Sequence, residues 1–263
     1  MNNILGYFIA IIIGFIMGIM GAGGAIITIP VLVYLFKIEP VLATSYSLFI
    51  VGVNSFFGVL SYNNKKLVQF KTGLLFFIPS IIGISLSRRL ILPNIPKEIF
   101  YLGHFLITKS NLLLLFFSII MIISAYSMIK KEDTKITNSE KNYLADIFIK
   151  GLIVGLVSGF IGVGGGFLII PALVISLKLD IKEAVGTSLF IISINSLFSF
   201  LGDLFNHVEL NWNFLIVFSF FTMIGVFSGI YISKFIPSEK LKPTFGWFVL
   251  FMGFFILFKE FLL

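Results

Sequence analysis

Gly21-Ala22-Gly23-Gly24 and, 141 positions later, Gly162-Val163-Gly164-Gly165 are one motif written twice. Gly14 and Gly18 lead into the first copy as Gly155 and Gly159 lead into the second. Beyond the loop, Pro30 matches Pro171, Lys37 matches Lys178, and Ala43 matches Ala184. Ser47-Leu48-Phe49-Ile50 then aligns with Ser188-Leu189-Phe190-Ile191, and Asn54-Ser55 with Asn195-Ser196. From residue 14 to residue 57, 18 of 44 positions are identical at this single gap-free offset. A repeat of that strength makes the chain two copies of one unit.

The unit is built for lipid. Hydrophobic residues make up 58% of the chain and charged ones 12%, with mean hydropathy +1.09. A soluble domain carries roughly 25% charged residues, so about half the usual solvated surface is missing. The apolar residues come in long blocks without acids or bases, which spell membrane-spanning helices. The alternating ten-residue strands of an outer-membrane barrel are absent. An all-α polytopic membrane protein is expected, placed in the cell's inner (plasma) membrane. Residues 4–20 lack a basic leader and a small-residue cleavage site, so they read as a retained span.

Apolar segments fall at about 4–20, 25–36, 42–61, 72–92 and 111–129, and again at about 146–161, 167–177, 184–205, 212–234 and 244–262. The first repeat is read as 1–129, a polar linker as 130–145, and the second repeat as 146–263. An extra apolar piece at 100–108 occurs only in the first half and is expected to be interfacial. The second segment of each unit is too short to span. Residues 4–36 as one helix would run about 50 Å, against a hydrocarbon core of ~30 Å. The chain must break, and the glycine loop is where it can. Pro30 and Pro171 weaken the helix just beyond. Each unit should therefore hold a short broken or re-entrant helix.

Loop charges set the orientation. Between its third and fourth segments the first unit has Lys65, Lys66 and Lys71; the second has only Asp203, His207 and Glu209. Equivalent loops thus prefer opposite sides under the positive-inside rule. With Lys65 to Lys71 inside, the linker lysines and the basic stretch 234–242 also lie inside, and both termini end outside. The two repeats are then inverted in topology. Arg88, Arg89, Lys97 and Lys109 are discordant, since this scheme leaves them outside. Arg88 and Arg89 read as snorkelling anchors at the membrane edge rather than an anion gate.

The absence of cysteine excludes disulfides, thiol catalysis and iron–sulfur or cysteine-zinc sites. Only His104 and His207 could serve a histidine metal site, so no metal or cofactor is expected. The net charge of +7 reads as topology-setting loop lysines meeting anionic lipid, not as nucleic-acid binding. The expected partners are the bilayer and a small solute; oligomeric state is left open.

Inverted repeats with a broken helix in each place a substrate site at the repeat interface. Helices starting after Gly24 and Gly165 would present unpaired N–H groups and positive dipole ends. Glycine there lets an anion reach the backbone. Gly21, Gly23, Gly24, Gly162, Gly164, Gly165 and Gly166 are the candidate loop residues, with both helix starts expected to face one central cavity. Gly14, Gly18, Gly155 and Gly159 are small-xxx-small pairs and read as packing. The third segments add Thr44, Ser45, Ser47, Asn54, Thr187, Ser188 and Asn195. Ser47 and Asn54 are two turns apart on one face, as are Ser188 and Asn195. Both asparagines must face protein or a wet cavity; interhelical hydrogen bonding and substrate contact both fit.

With these residues in view, the duplicated G-x-x-x-G-x-x-G-x-G-G…P, followed by Ala43-Thr44-Ser45 in one half and Gly186-Thr187-Ser188 in the other, resembles the TauE/SafE sulfite-exporter family. The resemblance implies transport of sulfur-containing anions such as sulfite or sulfonates like sulfoacetate. The residues alone reach only "anion". Ala25 stands where the second copy has Gly166, so the half-sites should be unequal. An intramembrane enzyme would need paired acids or a nucleophile–base pair inside a span, which the spans do not offer. A carrier of organic anions without sulfur is the other alternative.

Overall fold

The computed structural model describes all residues except 1, 22, 97, 103–104, 130–142, 162–165, 178, 206–209 and 263. It is nearly all helical. In chain order the helices are α1 (Asn2–Met20), α2 (Gly23–Pro30), α3 (Pro40–Asn63), α4 (Phe70–Leu86), α5 (Leu92–Asn94), α6 (Lys109–Ile129), α7 (Tyr143–Ile161), α8 (Gly166–Pro171), α9 (Ile181–Phe205), α10 (Trp212–Ser233) and α11 (Ser238–Leu262). Among the described residues, seven helices are long and apolar enough to cross a membrane. The linker at 130–141 lies outside the described residues.

The apolar piece at 100–108 belongs to an antiparallel hairpin of β1 (Glu98–Leu102) and β2 (Phe105–Thr108), with Phe100 opposite Ile107 and Leu102 opposite Phe105. Its run of Phe, Tyr, Ile and Thr suits a pleated strand better than a helix.

Both helix breaks occur where the glycines stand. The first interrupts the chain between α1 and α2, the second between α7 and α8. Gly21 has φ +67°, a left-handed conformation that side chains with a Cβ resist. After Pro30 and after Pro171 the α-helix opens into one π-helical turn, Val31–Leu35 and Ala172–Ser176. Both turns end alike: Ile38 N donates to Leu32 O, and Leu179 N to Leu173 O. Lys37 takes the left-handed position in the first of these ends, φ 56°. Phe36 comes back beside Gly6, so α2 folds back along α1.

The pairing of helices follows the repeat. α1 packs on α10, and its repeat equivalent α7 packs on α4, the equivalent of α10. α3 packs on its own equivalent α9, and α6 on its own equivalent α11. The first two seams are glycine seams. A Cβ on Gly14 would lie 1.8 Å from Thr222 O, and one on Gly155 2.0 Å from Ser80 O. The small-xxx-small reading of Gly14, Gly18, Gly155 and Gly159 holds: these helices touch backbone to backbone.

α3 and α9 form the centre, with 67% and 72% of their apolar windows buried, against 33% in α4 and α11. They run antiparallel: Ser45 meets Asp203, Gly52 meets Leu197, and Gly58 meets Leu189. α6 and α11 are antiparallel too, Gly246 lying on Met128 and Gly253 on Met121. Outward faces carry exposed apolar side chains such as Phe8, Ile82, Ile123, Phe220 and Phe251, the surface a bilayer would cover.

The two ends of the bundle differ chemically. At one, the lysine end, Lys65 is electrostatically coupled to Lys182 and Lys234. At the other, the arginine end, Arg88, Arg89 and Lys109 gather around Asp203.

Candidate functional site

A cavity of about 560 Å³ opens at the arginine end, between α3, α4 and α9. Its charged lining is Arg88, Arg89, Lys109 and Asp203, three cations to one anion. Arg88 and Arg89 sit on a single π-helical turn, Ser87–Ile91, that follows α4. Pro93, just beyond, has no N–H to give Arg89 O, and its ring crowds that carbonyl, which favours the wider turn. The turn brings Arg88 inward, while Arg89 stays exposed.

Arg88 is nearly buried, and its Nη2 donates to Asp203 Oδ2 at 2.8 Å. Ser45 Oγ donates to the same oxygen at 2.5 Å. Arg88 Nη1 is buried and has no hydrogen-bond partner among the described residues. Lys109 Nζ donates to Leu92 O at 2.5 Å, tying α6 to the end of this turn. A guanidinium is a planar fork suited to a two-oxygen acceptor. Here one prong is used, and the other is buried with no acceptor among the described residues.

Unsatisfied buried polar atoms are concentrated on the two central helices, α3 and α9. Ser47 Oγ, Asn54 Oδ1, Ser55 Oγ and Ser196 Oγ are all buried without a partner. Asn54 spends its amide on its own helix, donating to Ile50 O at 2.7 Å. Asn195 differs: its Nδ2 donates to Ser80 Oγ at 2.9 Å, stapling α9 to α4. Buried orphan groups of this kind cost free energy in a folded protein.

At the lysine end, α3 is tied to α1 and α10. Tyr62 OH donates to Gly18 O at 3.1 Å and lies 3.4 Å from Ser233 Oγ. Lys65 Nζ donates to Ile230 O at 3.2 Å and stands over the Tyr62 ring. Burial, with Lys234 and Lys182 nearby, holds the Lys65 ammonium below the usual lysine range. Gln69 N donates to Thr187 Oγ1, and Gly186 lies under Leu67 O, so the G-T-S stretch anchors the loop between α3 and α4.

The remaining candidates are scattered along this axis. Gly21 lies beside Val185 and Ser188 near the start of α9, and Ser188 Oγ donates to Val185 O. Gly23 starts α2, and Gly24 packs on Met17. Gly166 starts α8, while Gly162, Gly164 and Gly165 lie outside the described residues. Ile161, at the second break, shares a small gap with Pro40 and Thr44 at the start of α3. Thr44 Oγ1 donates to Val41 O. Gly21 and Ile161 thus stand toward opposite ends of the antiparallel α3/α9 pair, while α2 and α8 touch each other between them. The expectation that both helix starts face one central cavity from opposite sides turns on residues 162–165, which lie outside the described residues.

Sequence reasoning missed the Arg88–Asp203–Ser45 cluster. Arg88 read as a snorkelling anchor and Asp203 as a helix end, and 115 positions separate the two. The signal that could have found it was Arg88 itself, an arginine two residues after an apolar helix with no phase to reach solvent.

Compared with known proteins, residues 6–256 match the family described as "Sulfite exporter TauE/SafE". A probable membrane transporter protein of Xylella fastidiosa is 25% identical over 95% of this chain and 92% of its own length. One from Methanocaldococcus jannaschii is 28% identical over 76% of this chain and 72% of its own. The probable membrane transporter YdhB of Bacillus subtilis is 30% identical over 69% and 70%. No solved structure matches.

Proposed function

Since the chain belongs to the sulfite exporter TauE/SafE family, we propose that it carries small sulfur oxyanions, sulfite or organosulfonates such as sulfoacetate, across the cell's inner membrane. The observation that carries the anionic reading is Arg88, buried at the floor of an open cavity with Nη1 unpartnered. The path runs from that cavity down the α3/α9 seam, past Ser47, Asn54 and Ser196, to Tyr62 and Lys65. The first glycine break, Gly21, Gly23 and Gly24, flanks one end, and Ile161, the last described residue before the second loop, stands toward the other. The glycines let the short helices move without a Cβ in the way. The cavity opens at one end of the bundle, and alternating access would require the path to open in turn at the other.

Uptake and counterflow in proteoliposomes test this against sulfite, sulfoacetate, taurine, thiosulfate, sulfate and carboxylates. Selective flux of sulfite or a sulfonate is expected. Carboxylate flux alone would give the site to sulfur-free anions, and flux of none would remove the transporter reading.

The same proposal takes the halves 1–129 and 146–263 as inverted-topology repeats. Its support is the antiparallel run of α3 on α9 and of α6 on α11, each a helix paired with its own repeat equivalent. A two-fold axis relating such pairs lies across them, in the membrane plane. Reporters fused after Leu263 should read as extracytoplasmic, and a tag within 130–141 as cytoplasmic. Both on one side would refute the inversion.

The two asparagines should separate stapling from passage. Asn195→Leu loses its bond to Ser80 and should lower stability by about 0.6–2 kcal/mol. Asn54→Leu removes an orphan oxygen and one local bond, so stability should hold while flux is lost. Thermal melting and flux on one preparation decide; equal melting losses for both would take Asn54 out of the path.

A further inference from the structure

We infer that Asp203 is a tethered stand-in for the transported anion on Arg88, displaced only as it takes up a proton, so that each anion moves together with one proton. This rests on the anion-transport reading above and adds the co-substrate.

The argument begins with who occupies whom. Asp203 Oδ2 accepts from both Arg88 Nη2 and Ser45 Oγ, two donors that a sulfonate or sulfite oxygen would need. The carboxylate comes from α9, the guanidinium from the π turn after α4, and the hydroxyl from α3, so three helices converge on one oxygen. Ser45, Arg88 and Asp203 all line the cavity, and Asp203 holds the position an oxyanion there would take.

Charge then requires the proton. Arg88 and Asp203 are a neutral pair, each largely screened from water. A monoanion that joined them while Asp203 stayed ionised would set two negative groups on one buried guanidinium, and like charges in such a site do not both remain ionised. Among the described residues the other charged groups lining the cavity are Arg89 and Lys109. Arg89 is exposed and screened, and Lys109 is committed to Leu92 O. The group left to change its protonation is Asp203.

The step balances simply. A carboxylate oxygen of Asp203 takes a proton from water in the cavity and becomes a neutral acid, and its ionic bond to Arg88 Nη2 is lost. The incoming oxyanion accepts from Nη2 and from the previously unpartnered Nη1, forming the two-pronged pair. The charge in the site is the same before and after, one cation with one anion. Release runs in reverse: the proton leaves, Asp203 reclaims Arg88, and the anion is expelled by its replacement. Without the proton the site refills itself, which prevents anion leak.

Calorimetric titration of the purified full chain with methanesulfonate tests this. That anion stays ionised throughout pH 5–8, so any proton counted belongs to the protein. Repeating the titration in buffers of different ionisation enthalpy counts protons directly. Wild type should take up about one proton per methanesulfonate bound, with affinity falling about tenfold per pH unit on the alkaline side. Asp203→Asn should bind with no proton uptake and no pH dependence, and methanesulfonate should raise its melting temperature more than that of wild type. Binding by wild type without proton uptake would overturn the coupling and leave the anion site standing. Proton uptake that persists in Asp203→Asn would equally overturn it, assigning the proton elsewhere. Absence of methanesulfonate binding by wild type at every pH would overturn both the coupling and the reading on which it rests.

Discussion

Arg88→Gln protein is expected to lose anion flux by about 100-fold or more. Two effects add. The substitution removes a charge-assisted donor pair worth about 1.5–3 kcal/mol to a bound oxyanion. It also strands Asp203, which is 8% exposed, and an ion left alone in such a place typically costs about 3–5 kcal/mol of stability. A loss of flux could therefore reflect a poorly folded protein, so a second variant is needed. Arg88→Gln combined with Asp203→Asn removes both charges and restores a neutral, hydrogen-bonded pair. It should recover most of the melting temperature and none of the flux. Arg88→Lys should fall between, since an ammonium keeps the charge but not the fork. Full flux in the double variant would remove Arg88 from the transport site.

The second large effect is structural. Gly155→Val should leave little folded protein in the membrane. A Cβ there would lie 2.0 Å from Ser80 O and 2.7 Å from Ser80 Cα, atoms of the α4 backbone that cannot rotate away. Relief requires α7 and α4 to separate along their whole seam, which includes the contact of Gly83 with Leu152 and of Gly159 with Ile84. The cost should exceed the ~1–3 kcal/mol of ordinary overpacking, and without a hydrophobic effect between helices in lipid little remains to hold them. Gly202→Ala is the control: a Cβ there meets nothing within 4 Å, and alanine is the better helix former by up to ~1 kcal/mol. Monodisperse yield from membranes and the melting temperature check both. A Gly155→Val protein as abundant and stable as wild type would mean the seam is not where the fold is held.

The elements were legible because each rests on local signals. The segment read at 42–61 is α3, that at 184–205 is α9, and both short helices begin within two residues of their expected starts. Apolar run length, glycine and proline fix these without any partner. The packing role of Gly14 and Gly155 was legible for a similar reason, as four-residue spacing puts two glycines on one helix face. The hairpin at 98–108 was hidden because a nine-residue apolar run suits either period. The Arg88–Asp203–Ser45 cluster was hidden for a deeper reason. It forms between three helices far apart in sequence, and only Ser45 has a polar pattern around it that invites attention. Asn54 and Asn195 show the limit from the other side. Their sequence contexts are matched, yet Asn195 meets Ser80 of α4 and Asn54 does not meet an equivalent: Thr222, which stands in α10 where Ser80 stands in α4, gives its hydroxyl to Phe218 O of its own helix.

The seam of α1 against α10 carries a consequence for how the chain is made. α1 leaves the ribosome well before α10, and the glycine face that must meet Gly225 and Gly229 has no partner until α10 has been synthesised. α7 is spared that wait, because α4 precedes it. The first half must therefore enter the bilayer as an unfinished assembly, its Gly14 and Gly18 groove filled by lipid or by the insertion machinery, and complete itself only when the second half arrives. Two fragments cut within 130–141 and made as separate chains should each insert, fail to stabilise alone, and recover a working carrier when produced together.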